Sequence, residues 1–210
     1  MMNAKRTAIA VSAALALPLL SAPSALADEA PPPDNVSIEV VTVNGSGCPP
    51  GSANVVISDD KTAFTVKYND YLAYAGGDTN PTGSRKNCQI NVRVNAPGEY
   101  TYAITGSDHR GFAGLQDGAS GLQQTNYYFQ GSTQDRTVQH ELNGRYVDDW
   151  QFRDRIPANQ LVYKPCGQAR NLNINTELRV NAGDSDNKVS FMSMDATRSS
   201  TTYHFAWKRC

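Results

Sequence analysis

The sharpest hydrophobic pattern in the chain is RKNCQINVRV, residues 85–94, where Cys88, Ile90, Val92 and Val94 alternate with Gln89, Asn91 and Arg93. A period of two is the mark of a strand with one buried and one wet face. The same alternation predicts strands over 36–43, 54–58, 63–68, 100–104, 125–130, 137–142, 171–180, 189–195 and 201–208. In the first of these, apolar positions fall at Val36, Ile38 and Val40 and then slip to Val41 and Val43, which predicts a β-bulge. Within 171–180 the step Asn175-Thr176 interrupts the apolar phase, and Asp59-Asp60-Lys61 reads as the turn of a hairpin.

Three stretches lack this pattern. Asn69 to Ser84 is rich in Gly, Asn and Thr, and Gly106 to Gly121 holds five glycines in sixteen residues; both are predicted to be long connections. Residues 145–168 carry Trp150, Phe152, Ile156, Leu161, Val162 and Tyr163, too apolar for a free loop, and are predicted to cover one end of the core. No segment sustains a 3.6-residue period. Short strands at regular spacing with turn residues between them predict an all-β fold, a single antiparallel β-sandwich of jelly-roll type.

The first 27 residues follow a different logic. Lys5 and Arg6 precede an apolar run from Thr7 to Leu20, and small residues lead to Ala25-Leu26-Ala27. This is the pattern of a secretory signal peptide with an A-x-A cleavage site. The expected organisation is a signal peptide over 1–27, a Pro-rich spacer over 28–35 containing Pro31-Pro32-Pro33, and one domain over 36–210. Without Lys5 and Arg6, 17 of the 19 basic residues stand against 20 acidic ones, with no basic cluster. Nothing here would draw the chain to nucleic acid, or to a membrane once the signal is removed. Charged residues make up only 19% of the chain, below the roughly 25% of average domains, and Ser, Thr, Asn and Gln fill the difference.

Cys48, Cys88, Cys166 and Cys210 all lie beyond the cleavage site, an even number in an oxidising compartment. Their spacing holds no C-x-x-C and no Cys/His pair of ligand spacing, so disulfides are favoured over zinc. Of three possible pairings, local loop closure favours Cys48 with Cys88 and Cys166 with Cys210, each bridge worth about 4 kcal/mol in the chain-entropy model.

Chemical motifs are weak. His140-Glu141 begins a zinc-protease helix motif, but Gly144 stands where the second histidine belongs, in a strand-like segment. Gly118-Ala119-Ser120-Gly121 has the wrong spacing for a serine-hydrolase elbow. Asp184-Ser185-Asp186 with Asp195 resembles a calcium loop, but Lys188 takes a ligand position and Val189 replaces the required glycine. Asp59-Asp60 and Asp148-Asp149 read as surface charge unless folding converges them. No catalytic residue, cofactor or metal is therefore assigned. Each of the three histidines could serve as a general base, but His140 and His204 sit in strands, where a structural role is favoured, and His109, in a glycine-rich segment, is the first to test. Most aromatic residues occupy core positions by alternation; Tyr71 and Tyr74 do not.

At this point five ordered blocks carry a resemblance: GSGCPPGS at 45–52, RKNCQINV at 85–92, DDWQF and LVYKPCG within 148–167, NLNINTELRV at 171–180, and MDATRSSTTYHFAWKRC at 194–210. Together they resemble the secreted family known as domain of unknown function 4360, found in actinobacteria and filamentous fungi. The likeness spans essentially the whole mature chain and implies secretion and a β-rich, disulfide-bonded domain. It implies no activity. Tyr163 stands where the family usually has Trp, which keeps an aromatic side chain.

The functional expectation is a secreted, non-catalytic binding module for an extracellular polysaccharide or secreted protein partner, with Tyr71, Tyr74, His109, Arg110 and Phe112 as contact residues on the two long connections. A hydrolase whose site assembles only in three dimensions is one alternative, and an inhibitor or coat component presenting 106–121 is another. A converging titratable pocket would favour the first alternative, a convex braced loop the second, and a shallow aromatic strip would favour polymer binding.

Overall fold

The computed structural model describes residues 29–185, 187–194 and 200–210. The signal peptide, and Asp186 and Asp195 of the calcium-like pattern, lie outside the described residues. Thirteen strands run in chain order: β1 Glu29–Ala30, β2 Ser37–Asn44, β3 Ala53–Ile57, β4 Ala63–Tyr68, β5 Leu72–Ala75, β6 Arg85–Asn95, β7 Tyr100–Leu115, β8 Ser120–Phe129, β9 Asp135–Asn143, β10 Tyr146–Arg155, β11 Leu172–Asn181, β12 Ser190–Ser193 and β13 Thr201–Arg209. They form two antiparallel sheets. Sheet A has the order β3-β4-β13-β7-β12-β5, with β10 on the other edge of β7 and β1 beside β13; sheet B has the order β2-β6-β11-β8-β9. The fold is an antiparallel β-sandwich.

The alternating segments became strands because their apolar rows pack between the sheets. Phe64, Tyr203, Phe205, Trp207 and Tyr102 of sheet A meet Ile90, Val92, Ile174, Leu178 and Phe129 of sheet B in one core. Tyr102 stands edge-on to Phe129, with centroids 5.4 Å apart across the gap. The bulge expected near Val41 is present, since the pairing of β2 with β6 shifts between Val40 and Thr42. In β11 the phase does not break. Thr176 takes the inward position between Ile174 and Leu178, and its hydroxyl lies 3.1 Å from the Tyr71 hydroxyl.

Four expectations need correction. Gly106 to Gly121 is no loop: β7 continues to Leu115 and holds β10 on one edge and β13 followed by β12 on the other. Gly106, Gly111 and Gly114 within β7 make room for neighbours, and only Gly118, with φ +77°, serves the turn into β8. A Cβ on Gly111 would come within 2.3 Å of the Trp150 ring and 2.0 Å of the Ser193 carbonyl oxygen. Residues 146–155 are not an irregular cover but strand β10, paired along its length with β7. Asn69 to Ser84 contains β5 and a 3-10 turn at Pro81–Gly83. Within the spacer, Glu29 and Ala30 pair with Lys208 and Trp207.

Both disulfides close as local pairing predicts, Cys48 with Cys88 and Cys166 with Cys210. They differ in surroundings: Cys48 and Cys88 are buried in the core, whereas Cys166 and Cys210 are exposed. Thiol attack requires access to a sulfur. Mild reductant without denaturant should therefore open Cys166–Cys210 first and leave Cys48–Cys88 intact, as read by alkylation and mass spectrometry of timed samples. A second expectation concerns Tyr71, fully buried against Tyr68 with ring centroids 5.2 Å apart. Tyr71→Ala should cost about 3–5 kcal/mol in urea unfolding, as aromatic deletions from packed cores do.

Candidate functional site

The five contact residues named from sequence separate into two groups. Tyr71 and His109 are corrected: both are fully buried and cannot touch a ligand in the folded protein. Tyr71 is a core plug: it directly precedes β5, and its side chain points inward, toward Thr176 and the Lys86 carbonyl. His109 points into the sandwich from β7. Its Nδ1 lies 3.2 Å from the Thr201 hydroxyl, and its Nε2 lies 2.9 Å from that of Ser107 and 3.3 Å from that of Thr125. The Ser107–His109 contact has hydrolase-like chemistry but no access, since both residues are sealed between the sheets. Burial pushes the His109 imidazole down to about 3, with His140 adding to the shift and Asp108 opposing it. It is a neutral structural group.

Tyr74, Arg110 and Phe112 point the other way, onto the outer face of sheet A, and there the structure brings an apolar surface together. Two cross-strand rows carry it. Tyr74 of β5 pairs with Phe191 of β12, which pairs with Gly114 of β7, which pairs with Val147 of β10. In the next row Leu72 pairs with Ser193, which pairs with Phe112, which pairs with Asp149. The Phe112 and Phe191 rings lie 6.0 Å apart and 29° from parallel. Gly114 sets the height of this strip: a Cβ there would lie 2.6 Å from the Phe191 ring, so only a glycine lets the ring lie against the sheet. Val147 is 70% exposed, Leu72 38% and Phe112 36%, so these neighbouring rows present apolar side chains to solvent. Arg110 and Gln151, paired side by side on β7 and β10, border the strip with polar groups.

Sequence reading missed Phe191, Leu72 and Val147. Phe191 alternates with the buried Met192, so its outward position follows once the core side of β12 is known. The strip itself joins four separate segments and has no local signature. Other titratable pairs do not converge with it. His140 bonds Asp154 at 2.9 Å and stacks on Phe152 at the seam between β9 and β10, and His204 bonds Asp108 at 2.7 Å beside Arg155. Among the described residues no three His, Cys, Asp or Glu side chains gather in a metal-binding group.

The profile of a family described as a domain of unknown function, DUF4360, matches residues 34–210. A protein of Arthroderma benhamiae described as an uncharacterized secreted protein is 35% identical over 183 residues, covering 86% of this chain and 74% of its own length. No solved structure gives a match. The secreted relative and the two disulfides agree with the location expected from the sequence, and the protein is secreted.

The buried imidazole has a measurable consequence. A histidine whose folded value lies below its unfolded value near 6.5 binds protons mainly when unfolded, so its neutral burial is stabilising above about pH 6.5 and is lost as pH falls toward 3. Between pH 6.5 and 5 the wild type should lose up to about 1.4 kcal/mol per pH unit more than His109→Gln. Urea unfolding at three pH values checks this, and parallel slopes would contradict it.

Proposed function

The chain belongs to the DUF4360 family, and on that premise we propose that it is a non-catalytic extracellular binding module whose contact surface for a cell-surface polymer is the outer face of sheet A. One observation carries the reading: Tyr74, Phe191 and Phe112 form a shallow aromatic strip on a rigid four-strand platform, with Leu72 and Val147 extending it. Flat rings held against a sheet give an apolar face for stacking at little conformational cost, because the backbone beneath them is already ordered. The strip lies on a sheet face, with Gly83 of the 3-10 turn against one side of the Tyr74 ring, and a sheet face suits a repeating polymer better than a small molecule. The inhibitor alternative loses its support, because the segment meant to project as a braced loop is a central strand.

The test is retention of the mature protein on insoluble cell-wall fractions. Phe112→Ala combined with Phe191→Ala should lower retention by about 1–3 kcal/mol in binding free energy, with the melting temperature little changed. Tyr74→Ala should act in the same direction, whereas Val56→Ala, an exposed apolar residue on the distant strand β3, should have no effect. Unchanged retention in the double variant would remove this face from consideration.

A further inference from the structure

The opposite face of the sandwich is built of carboxamides. Three neighbouring cross-strand rows cover the outside of sheet B. The first runs Asn44, Gln89, Asn175, Asn126, Thr137 across all five strands. The second runs Asn87, Glu177, Gln124, Gln139, and the third Thr42, Asn91, Asn173, Tyr128, Asp135. Outward faces of soluble sheets ordinarily carry charged residues, which hydrate well and block association. Here the three rows carry only Glu177 and Asp135 as charged residues, and Arg85, Arg179 and the Arg93–Glu39 pair lie at their borders.

The first two rows border an open groove of about 340 Å³ whose lining includes Gln89, Gln124, Asn126, Asn175 and Glu177. Its floor is unfinished in hydrogen-bonding terms. Asn175 Oδ1 is buried and has no partner among the described residues. Asn126 spends its Nδ2 group on Asp135 at 2.6 Å and Thr137 at 2.8 Å, which directs that amide's donors sideways and leaves Oδ1 as its free group. A buried acceptor left unpaired is destabilising, so a groove floored this way gains by taking a donor from outside. Charge is compensated within the groove: Arg85 bonds Glu177, and Arg179 donates to the other carboxylate oxygen through Nε at 3.0 Å. The two guanidinium groups hold the Glu177 carboxyl below its usual range, against its partial burial.

We infer that this carboxamide groove on sheet B binds a neutral polysaccharide chain, lying across the strands. A hydroxyl both donates and accepts, and a carboxamide offers an acceptor and two donors in one plane, so adjacent sugar hydroxyls and an amide pair without any charge. Neighbouring strands are about 4.8 Å apart, close to the advance of one ring along an extended pyranose chain. Successive rings therefore meet Gln89, Asn175 and Asn126 in turn. An acidic polymer finds Arg85 already committed, and an apolar partner would strand the amides. This site is distinct from the aromatic strip and faces away from it.

The test is native electrophoresis of the mature protein in gels containing mixed-linkage β-glucan, galactomannan or dextran, with polygalacturonate as the acidic comparison. At least one neutral polysaccharide should slow the wild type. Gln89→Ala combined with Asn126→Ala should weaken that retardation at least tenfold with an unchanged melting temperature, and Phe112→Ala combined with Phe191→Ala should leave it intact. Asn175 lies in the central strand, so the outer two positions avoid confusing binding with folding. Retardation by no neutral polymer, or by polygalacturonate alone, overturns the inference. So does retardation that survives the amide substitutions, or that vanishes with the sheet A aromatics; the latter result would assign the saccharide to the aromatic strip.

Discussion

His109 stands between the sheets with both ring nitrogens engaged, by Thr201 of β13 and by Ser107 of β7 and Thr125 of β8. Thr125 also accepts from Gln123 at 2.7 Å. Hydrophobic contact alone would tolerate small slips of one sheet over the other, because it is not directional. A buried polar group tolerates none, since each displaced bond leaves an unsatisfied donor or acceptor at a cost comparable to a sizeable share of net stability. The His109 cluster and the Tyr71–Thr176 contact thus fix the relative position of the sheets. Everything displayed on the two outer faces inherits that alignment.

Strand β7 carries the other half of the constraint. It is 16 residues long, and its edges are shared by β10, β13 and β12. The backbone that carries the outward residues Arg110 and Phe112 is thereby paired on both sides. Sites on such elements are better preorganised than sites on loops. The glycines that looked like flexibility are where Trp150 and Phe191 close on the backbone.

The two outer faces divide the chain's unusual composition between them. Asn and Gln gather in neighbouring rows on the outside of sheet B, and Tyr74, Phe112 and Phe191 gather on the outside of sheet A. One face offers dispersion and stacking, the other amide hydrogen bonds beside internally paired charges. Between them the Ser107–His109 contact is buried in the interior.

The sequence by itself determined which residues face inward. Alternation is a local property of the backbone, so RKNCQINVRV, the Tyr203-Phe205-Trp207 row, the bulge near Val41 and both cysteine pairs were legible without coordinates. It failed where glycine content was taken for turning, because a glycine that admits a neighbour's ring and one that admits a positive φ look identical in a string of letters. Only the tertiary structure decided which strands lie side by side. Gln89, Asn126 and Asn175 become one row, and Tyr74, Phe112 and Phe191 one strip, through pairings between segments far apart in sequence. Strand order is set by the packing of the whole core, and no local pattern carries it.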